Sequence, residues 1–179
     1  MRHLALSAIG RDRPGIVAAV TRVLLEHGVN IEDSQATILR GHFTMVLIVA
    51  APEEVDRDRL AAELEAVAAD LGLEAVSLGD VEDIESSGPE PSHIVTVYGV
   101  DHPGIVHHTT AVLAERGIDI TDLNTRLVSD SEDEPLYALM MEVAVPAERS
   151  ADELLRALQA VGQREGVEVA LRELEHDTL

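Results

Sequence analysis

Apolar and polar positions switch between two periods along the chain, and the switches mark its elements. Leu4, Leu6 and Ala8 alternate with Ala5, Ser7 and Ile9, which predicts a strand that is largely buried. Residues 10–13 turn the chain, and Pro14 is expected at the first helical position, where a missing N–H costs nothing. Ile16, Val17, Val20, Val23 and Leu24 then recur at helical spacing up to Gly28, a natural stop. Residues 30–39 and 43–50 read as two strands around a tight turn at Arg40-Gly41-His42. A second helix, expected to open at Pro52, carries Leu60, Leu64, Val67, Ala68 and Leu71 and closes at Gly72. Residues 73–78 form a last strand. The order is βαββαβ, the split βαβ arrangement of ferredoxin-like folds.

The same order returns further along: strand 93–98, helix 103–116, hairpin strands 119–129 and 136–145, helix 151–165 and strand 167–174. Two motifs repeat in one register. Gly10-Arg11-Asp12-Arg13-Pro14-Gly15-Ile16-Val17 corresponds to Gly99-Val100-Asp101-His102-Pro103-Gly104-Ile105-Val106, 89 residues later. Gly28-Val29-Asn30-Ile31-Glu32-Asp33 corresponds to Gly117-Ile118-Asp119-Ile120-Thr121-Asp122 at the same offset. A repeat this long predicts two α+β domains, each an antiparallel sheet with helices on one face, rather than a solenoid. They are expected over residues 1–80 and 92–179. Residues 81–91, polar and rich in Ser, Gly and Pro, are the linker. The second hairpin is five residues longer than the first. Its insertion, Asp130-Ser131-Glu132-Asp133-Glu134, reads as a mobile loop tip rather than a cation site with trusted ligand spacing.

Composition narrows the chemistry. Aromatic residues are 2% of the chain against 46% hydrophobic, so the cores must be aliphatic. The formal charge of −21 repels phosphate backbones and argues against direct nucleic-acid binding. There is no cysteine, which removes disulfides, thiolate nucleophiles and Cys metal sites, and fits a cytoplasmic setting. Neither a secretory leader nor a long apolar span is present in the sequence, so no membrane association is expected. Nucleophile elbows, P-loops and Gly-x-Gly-x-x-Gly runs are also missing, and no catalytic residue is assigned. His102, His107 and His108 lack the i, i+4 spacing of a helical metal pair; no metal or cofactor is expected.

The turn between first strand and first helix is the strongest candidate site. Gly15 and Gly104 let a ligand approach the backbone. The free amides of Gly15, Ile16 and Val17, and of Gly104, Ile105 and Val106, suit a carboxylate, helped by the helix dipole. Asp12 and Asp101 can instead fold back as caps.

At these residues the chain resembles the ACT domain, a small-molecule regulatory module of βαββαβ fold, in two copies covering nearly its whole length. With no catalytic domain attached, it resembles most the glycine cleavage system transcriptional repressor type of tandem ACT protein. The resemblance implies binding of amino acids or related ligands, domains paired through their sheets, and a homo-oligomer as one outcome. It places ligands between the first loop of one domain and the start of the second strand of the other. One site then comprises Asp101, His102, Pro103, Gly104 and Ile105 with Asn30; the other, Asp12, Arg13, Pro14, Gly15 and Ile16 with Asp119. Asn30 both donates and accepts, which suits a zwitterion; ionised Asp119 only accepts and repels a carboxylate. Arg13 can offset that by pairing with an acidic ligand. The two sites are therefore not expected to be equivalent. The implied function is non-enzymatic regulation through contact with a partner protein. The alternatives are a separately encoded regulatory subunit of a biosynthetic enzyme and a purely structural interaction module.

Overall fold

The computed structural model describes residues 1–81, 88–129 and 135–174. The acidic insertion and residues 82–87 of the linker lie outside the described residues. The chain divides into two compact units, Met1–Glu85 and Ser86–Leu179.

Unit 1 runs β1 (Arg2–Arg11), α1 (Ile16–Glu26), β2 (Asn30–Leu39), β3 (His42–Ala51), α2 (Arg57–Leu71) and β4 (Leu73–Asp80). Unit 2 repeats this as β5 (His93–Val100), α3 (Ile105–Ala114), β6 (Asp119–Ser129), β7 (Leu136–Ala144), α4 (Ala151–Glu165) and β8 (Glu168–Glu173). Each unit holds a four-stranded antiparallel sheet, ordered β2-β3-β1-β4 and β6-β7-β5-β8. The expected ferredoxin-like βαββαβ fold is therefore present twice.

Binary patterning explains the layers. Leu4, Leu6 and Ala8 of β1 and Met45, Leu47 and Val49 of β3 all turn to the side where the helices pack, and all are buried. Ile16, Val20, Val23 and Leu24 of α1 and Leu60, Leu64 and Ala68 of α2 meet them from one helical face each. The second core uses Val95, Val97, Leu139, Met141, Leu154 and Leu158. Phe43 is the one aromatic residue among the buried ones, so both cores are aliphatic as composition requires. Thr109 is buried within α3, and its hydroxyl is satisfied by donating to Ile105 O at 2.7 Å.

Three of the boundary differences from the sequence expectation have a clear local reason. The helix after Pro52 begins only at Arg57, because the Asp56 carboxylate accepts from the amides of Asp58 and Arg59 and so sets the N-cap. Pro52 instead opens a turn closed by Val55 N donating to its carbonyl. Unit 2 copies this with Pro146, whose carbonyl accepts from Arg149 N, and with Ser150 as the cap of α4. The first hairpin turn is two residues, not three: Arg40 (φ 50°) and Gly41 (φ 83°) both take positive φ, as a type I′ turn requires, and His42 already belongs to β3. The third difference concerns Pro14 and Pro103 and belongs to the candidate site.

Candidate functional site

The loop after the first strand is built the same way in both units. Its amide end is tied to the neighbouring hairpin: Asp12 N donates to Gly41 O at 2.9 Å, and Asp101 N donates to Pro135 O at 2.8 Å. Gly15 and Gly104 are the N-caps, in the left-handed region at φ 98° and 114°. That conformation cannot continue into a helix, so α1 and α3 start at Ile16 and Ile105. Pro14 and Pro103 therefore sit two positions ahead of the first helical residue, not at it. Their rings still hold Arg13 and His102 out of the helical region.

A glycine cap has no side chain to offer, and among the described residues neither helix start shows a side-chain cap hydrogen bond. Asp12 and Asp101 thus do not fold back onto the helix starts. The first intrahelical bonds are Ala19 N to Gly15 O and His108 N to Gly104 O, both 2.9 Å, so the amides of Gly15, Ile16, Val17 and Ala18, and of Gly104, Ile105, Val106 and His107, have no partner within their helices. Gly10 and Gly99, the first residues of the repeated motif, have a packing role. A Cβ there would lie 2.7 Å from Leu73 Cα, at the start of β4, and from Val167 Cγ1, just ahead of β8, so these glycines let β1 and β5 pass close to the chain where the last strand of each unit begins.

Asn30 and Asp119 open β2 and β6, the exposed edge strands. Directly after them each ladder carries a bulge, at Glu32 between Ile31 and Asp33, and at Thr121 between Ile120 and Asp122. A bulge at one place in both copies re-aims the strand start. Each of the two residues borders a shallow groove against the first helix. In unit 1 the groove is about 500 Å³, lined by Ala18, Thr21, Arg22, Leu25 and Asn30 among others. In unit 2 it is about 570 Å³, lined by His107, Thr110, Ala111, Ala114 and Asp119 at equivalent positions. Arg22 therefore faces one groove where Ala111 faces the other.

Within one unit, the Pro-Gly loop and Asn30 do not meet. They flank α1 at its two ends, and 11 helical residues span about 16 Å. The same holds for Asp119 and the loop of unit 2 across α3.

Around the second loop the structure adds residues that sequence reasoning did not assign. His102 Nε2 lies 2.8 Å from Glu165 O, and its Nδ1 lies 3.1 Å from Pro103 O. These two carbonyl contacts hold the His102 imidazole above the usual histidine range, with Glu165 and Asp101 adding attraction and desolvation opposing. The Glu165 carboxylate accepts from Arg164 Nε at 2.7 Å, and its Oε1 is 3.0 Å from His108 Nδ1. The His108 contact is electrostatic only, since that nitrogen is buried without a properly aligned hydrogen-bond partner. Arg164 first, and then the His108 charge, hold Glu165 below the usual carboxylate range against desolvation. Gly104 makes room for this group: a Cβ would meet the His108 ring at 3.2 Å and Glu165 Oε2 at 3.6 Å. Glu165 lies 63 residues from His102, so only an alignment of the two repeats, which sets it against Leu71, carried a trace of it.

No set of three or more potential metal ligands gathers among the described residues. Nor is any helix among them long and apolar enough to cross a membrane.

Comparison with known proteins agrees with the fold. Residues 2–77 and 93–172 each match the ACT domain family. The UPF0237 protein of Methanopyrus kandleri is 42% identical over 77 residues, which are 42% of this chain and 86% of that protein. Phosphoserine phosphatase SerB2 of Mycobacterium tuberculosis is 27% identical over 173 residues; the match takes in 94% of this chain but only 40% of the phosphatase. Among solved structures, a protein of unknown function from Galdieria sulphuraria superposes with a TM-score of 0.78 at 28% identity, over 97% of this chain and 99% of that one. A candidate glycine cleavage system transcriptional repressor superposes with a TM-score of 0.74 at 21% identity, over 98% of both chains, a likeness of fold. Two family matches in tandem, over two units of the same βαββαβ fold, place this chain in the ACT domain family.

Proposed function

We propose that the chain is a non-enzymatic regulatory protein that binds an amino acid or a similar small zwitterion and passes the signal by contact with a partner protein. The observation that carries this is the duplicated pairing of an uncapped, glycine-led helix start with a polar residue at a bulged strand start. The first suits a carboxylate through backbone amides and the helix dipole. At the second, Asn30 offers both an acceptor and a donor. Because the two lie at opposite ends of the first helix of a unit, a ligand that touches both takes them from two different copies of the domain. Asp101, His102, Pro103, Gly104 and Ile105 with Asn30 form the tighter proposed site. Asp12, Arg13, Pro14, Gly15 and Ile16 with Asp119 form the weaker one. A ligand held by two domains favours their paired state, which is a physical route to regulation. The acidity of the chain makes any transcriptional role indirect, through a DNA-binding partner. A cytoplasmic protein of this kind needs no metal or cofactor.

The alignment with part of a phosphoserine phosphatase supports a second reading, a regulatory subunit encoded apart from its enzyme. Co-purification of a catalytic chain would favour it.

Thermal unfolding against the twenty amino acids and several nucleotides tests the proposal. A ligand present at about 100 times its dissociation constant stabilises by roughly 2.7 kcal/mol, several degrees in Tm for domains of this size. A flat panel moves the chain to a structural interaction module. With a hit in hand, Asn30→Ala removes the tighter event in calorimetry; unchanged affinity overturns the site.

A further inference from the structure

One contact in unit 2 asks for a charge state that ligand binding does not explain. His102 is held between two carbonyl oxygens, Pro103 O at Nδ1 and Glu165 O at Nε2. A carbonyl only accepts, so each contact needs a hydrogen on the ring nitrogen it faces. Neutral imidazole carries one such hydrogen and imidazolium carries two. The carbonyls belong to different elements. Pro103 is in the β5–α3 loop; Glu165 is the last residue of α4, where carbonyls lack intrahelical partners and the dipole favours a cation.

We propose that the imidazolium of His102 is a clamp that fastens the β5–α3 loop to the C-terminus of α4, and that its loss of a proton frees one of the two bonds and loosens the loop. His102 is thus a positioning residue for the loop, and the loop of unit 2 answers to pH near neutrality. The consequence for ligand binding rests on the function proposed above; the clamp itself does not.

The neighbouring charges bear on this balance. From α4, the Glu165 carboxylate attracts the imidazolium and Arg164 opposes it. From α3, the amide end of the helix opposes it, as does His108 when protonated. From the loop, Asp101 attracts it. Arg164 and His108 both lie against the Glu165 carboxylate, which offsets their effect.

Unit 1 carries the control within the same chain. Arg13 stands at the position of His102, and its Nη2 reaches to 3.5 Å from where a Cβ of Gly72 would lie. Gly72 is the C-cap of α2, as Gly166 is of α4. A cation therefore sits near the same helix end in both units, a guanidinium in one and an imidazolium in the other, and only imidazole is a switch near neutral pH.

The test is an NMR titration of the full chain without ligand, from about pH 5.5 to 8.5, where histidine changes charge. The His102 ring is expected to titrate with a midpoint above 6.5, its ordinary value. The amides of Gly104 and Gly166 should move with that midpoint, while those of Gly15 and Gly72 stay still. In His102→Arg the Gly166 amide should keep its low-pH position across the range. In His102→Gln, which offers a single donor group, the transition should vanish. A ring midpoint at or below 6.5, or Gly104 and Gly166 amides that ignore it, overturns the clamp. So does a transition that survives in both variants, which would assign it to another group such as His108. No ligand enters these readouts, so a flat amino-acid panel and a failed clamp are separate results.

Discussion

The first loops of the two units share a backbone and differ in their charges. Both leave the first strand, donate an amide to the neighbouring hairpin end, and enter a helix through a left-handed glycine. In unit 1 Arg11 ends β1 and Arg13 stands in the loop, both exposed. In unit 2 the same positions are Val100 and His102, and the loop is joined to α4 through a titratable ring beside Glu165, Arg164 and His108. The residues opening the edge strands differ too, Asn30 against Asp119. Duplication kept what the backbone needs and let the side chains diverge, which is how one fold presents two chemically unequal loops.

The comparison can be broken most forcefully in the cores. Leu64 and Leu158 occupy the same place on the second helix of each unit and are fully buried. Leu64→Ala and Leu158→Ala should each destabilise the unit that holds it by about 2–5 kcal/mol. Denaturation followed by NMR signals assigned to each unit checks this, and equal losses in both units from either change would refute separate cores.

Exchanging the strand-opening residues comes next. Asn30→Asp removes the donor and adds a charge that repels a carboxylate, so the tighter site should weaken by about 1.5–3 kcal/mol, tenfold or more. Asp119→Asn should strengthen the other site. Calorimetry with the ligand found in the thermal panel reads both, and a second site left unchanged by Asp119→Asn would mean that this residue does not set the asymmetry.

Gly15→Ala and Gly104→Ala sharpen the loop comparison. Each forces a side chain into the left-handed region at a cost of roughly 1–2 kcal/mol. At Gly15 nothing lies within 4 Å of the new Cβ, whereas at Gly104 the His108 ring stands at 3.2 Å. The second substitution should therefore be the more destabilising in urea unfolding, and equal losses would argue that the His108–Glu165 contact yields freely.

The smallest effects are in pH dependence. His102 has a folded pKa raised by its carbonyl partners, so its contribution is complete below the ordinary value of 6.5 and is lost as pH rises through the raised value. Glu165 behaves the opposite way: Arg164 and His108 depress it, so its contribution is present above the ordinary 4.5 and is lost as pH falls through the depressed value. Glu63 follows the same sign in unit 1, depressed first by its hydrogen bond from His27 at 2.9 Å and then by that from Arg59. Tm measured per unit should fall in unit 2 as pH rises above 6.5 through the raised His102 value, and fall at low pH in both. A unit 2 that gains stability as pH rises from 6 to 8 would contradict the His102 geometry.

Much of this was legible from residues alone. The period-2 run Leu4, Leu6, Ala8 and the helical spacing of Ile16, Val20, Val23 and Leu24 set strand and helix, because burial acts on one face at a time. The paired motifs, 89 residues apart, set the duplication, and the glycines at positions 15 and 104 marked the loops. The helix starts were misjudged at Pro14 and Pro52. Proline tolerates the first helical position but does not fix it; a left-handed glycine and an Asp56 cap overrule it. What the linear pattern determined was local: which residues turn, which alternate, and which segments repeat. Only the tertiary structure decided that the start of each edge strand carries a bulge, and that His102 meets the carbonyl of Glu165 across 63 residues of chain. Such contacts are set by how helices settle on a sheet, and no periodicity in the sequence encodes where two helix ends will meet.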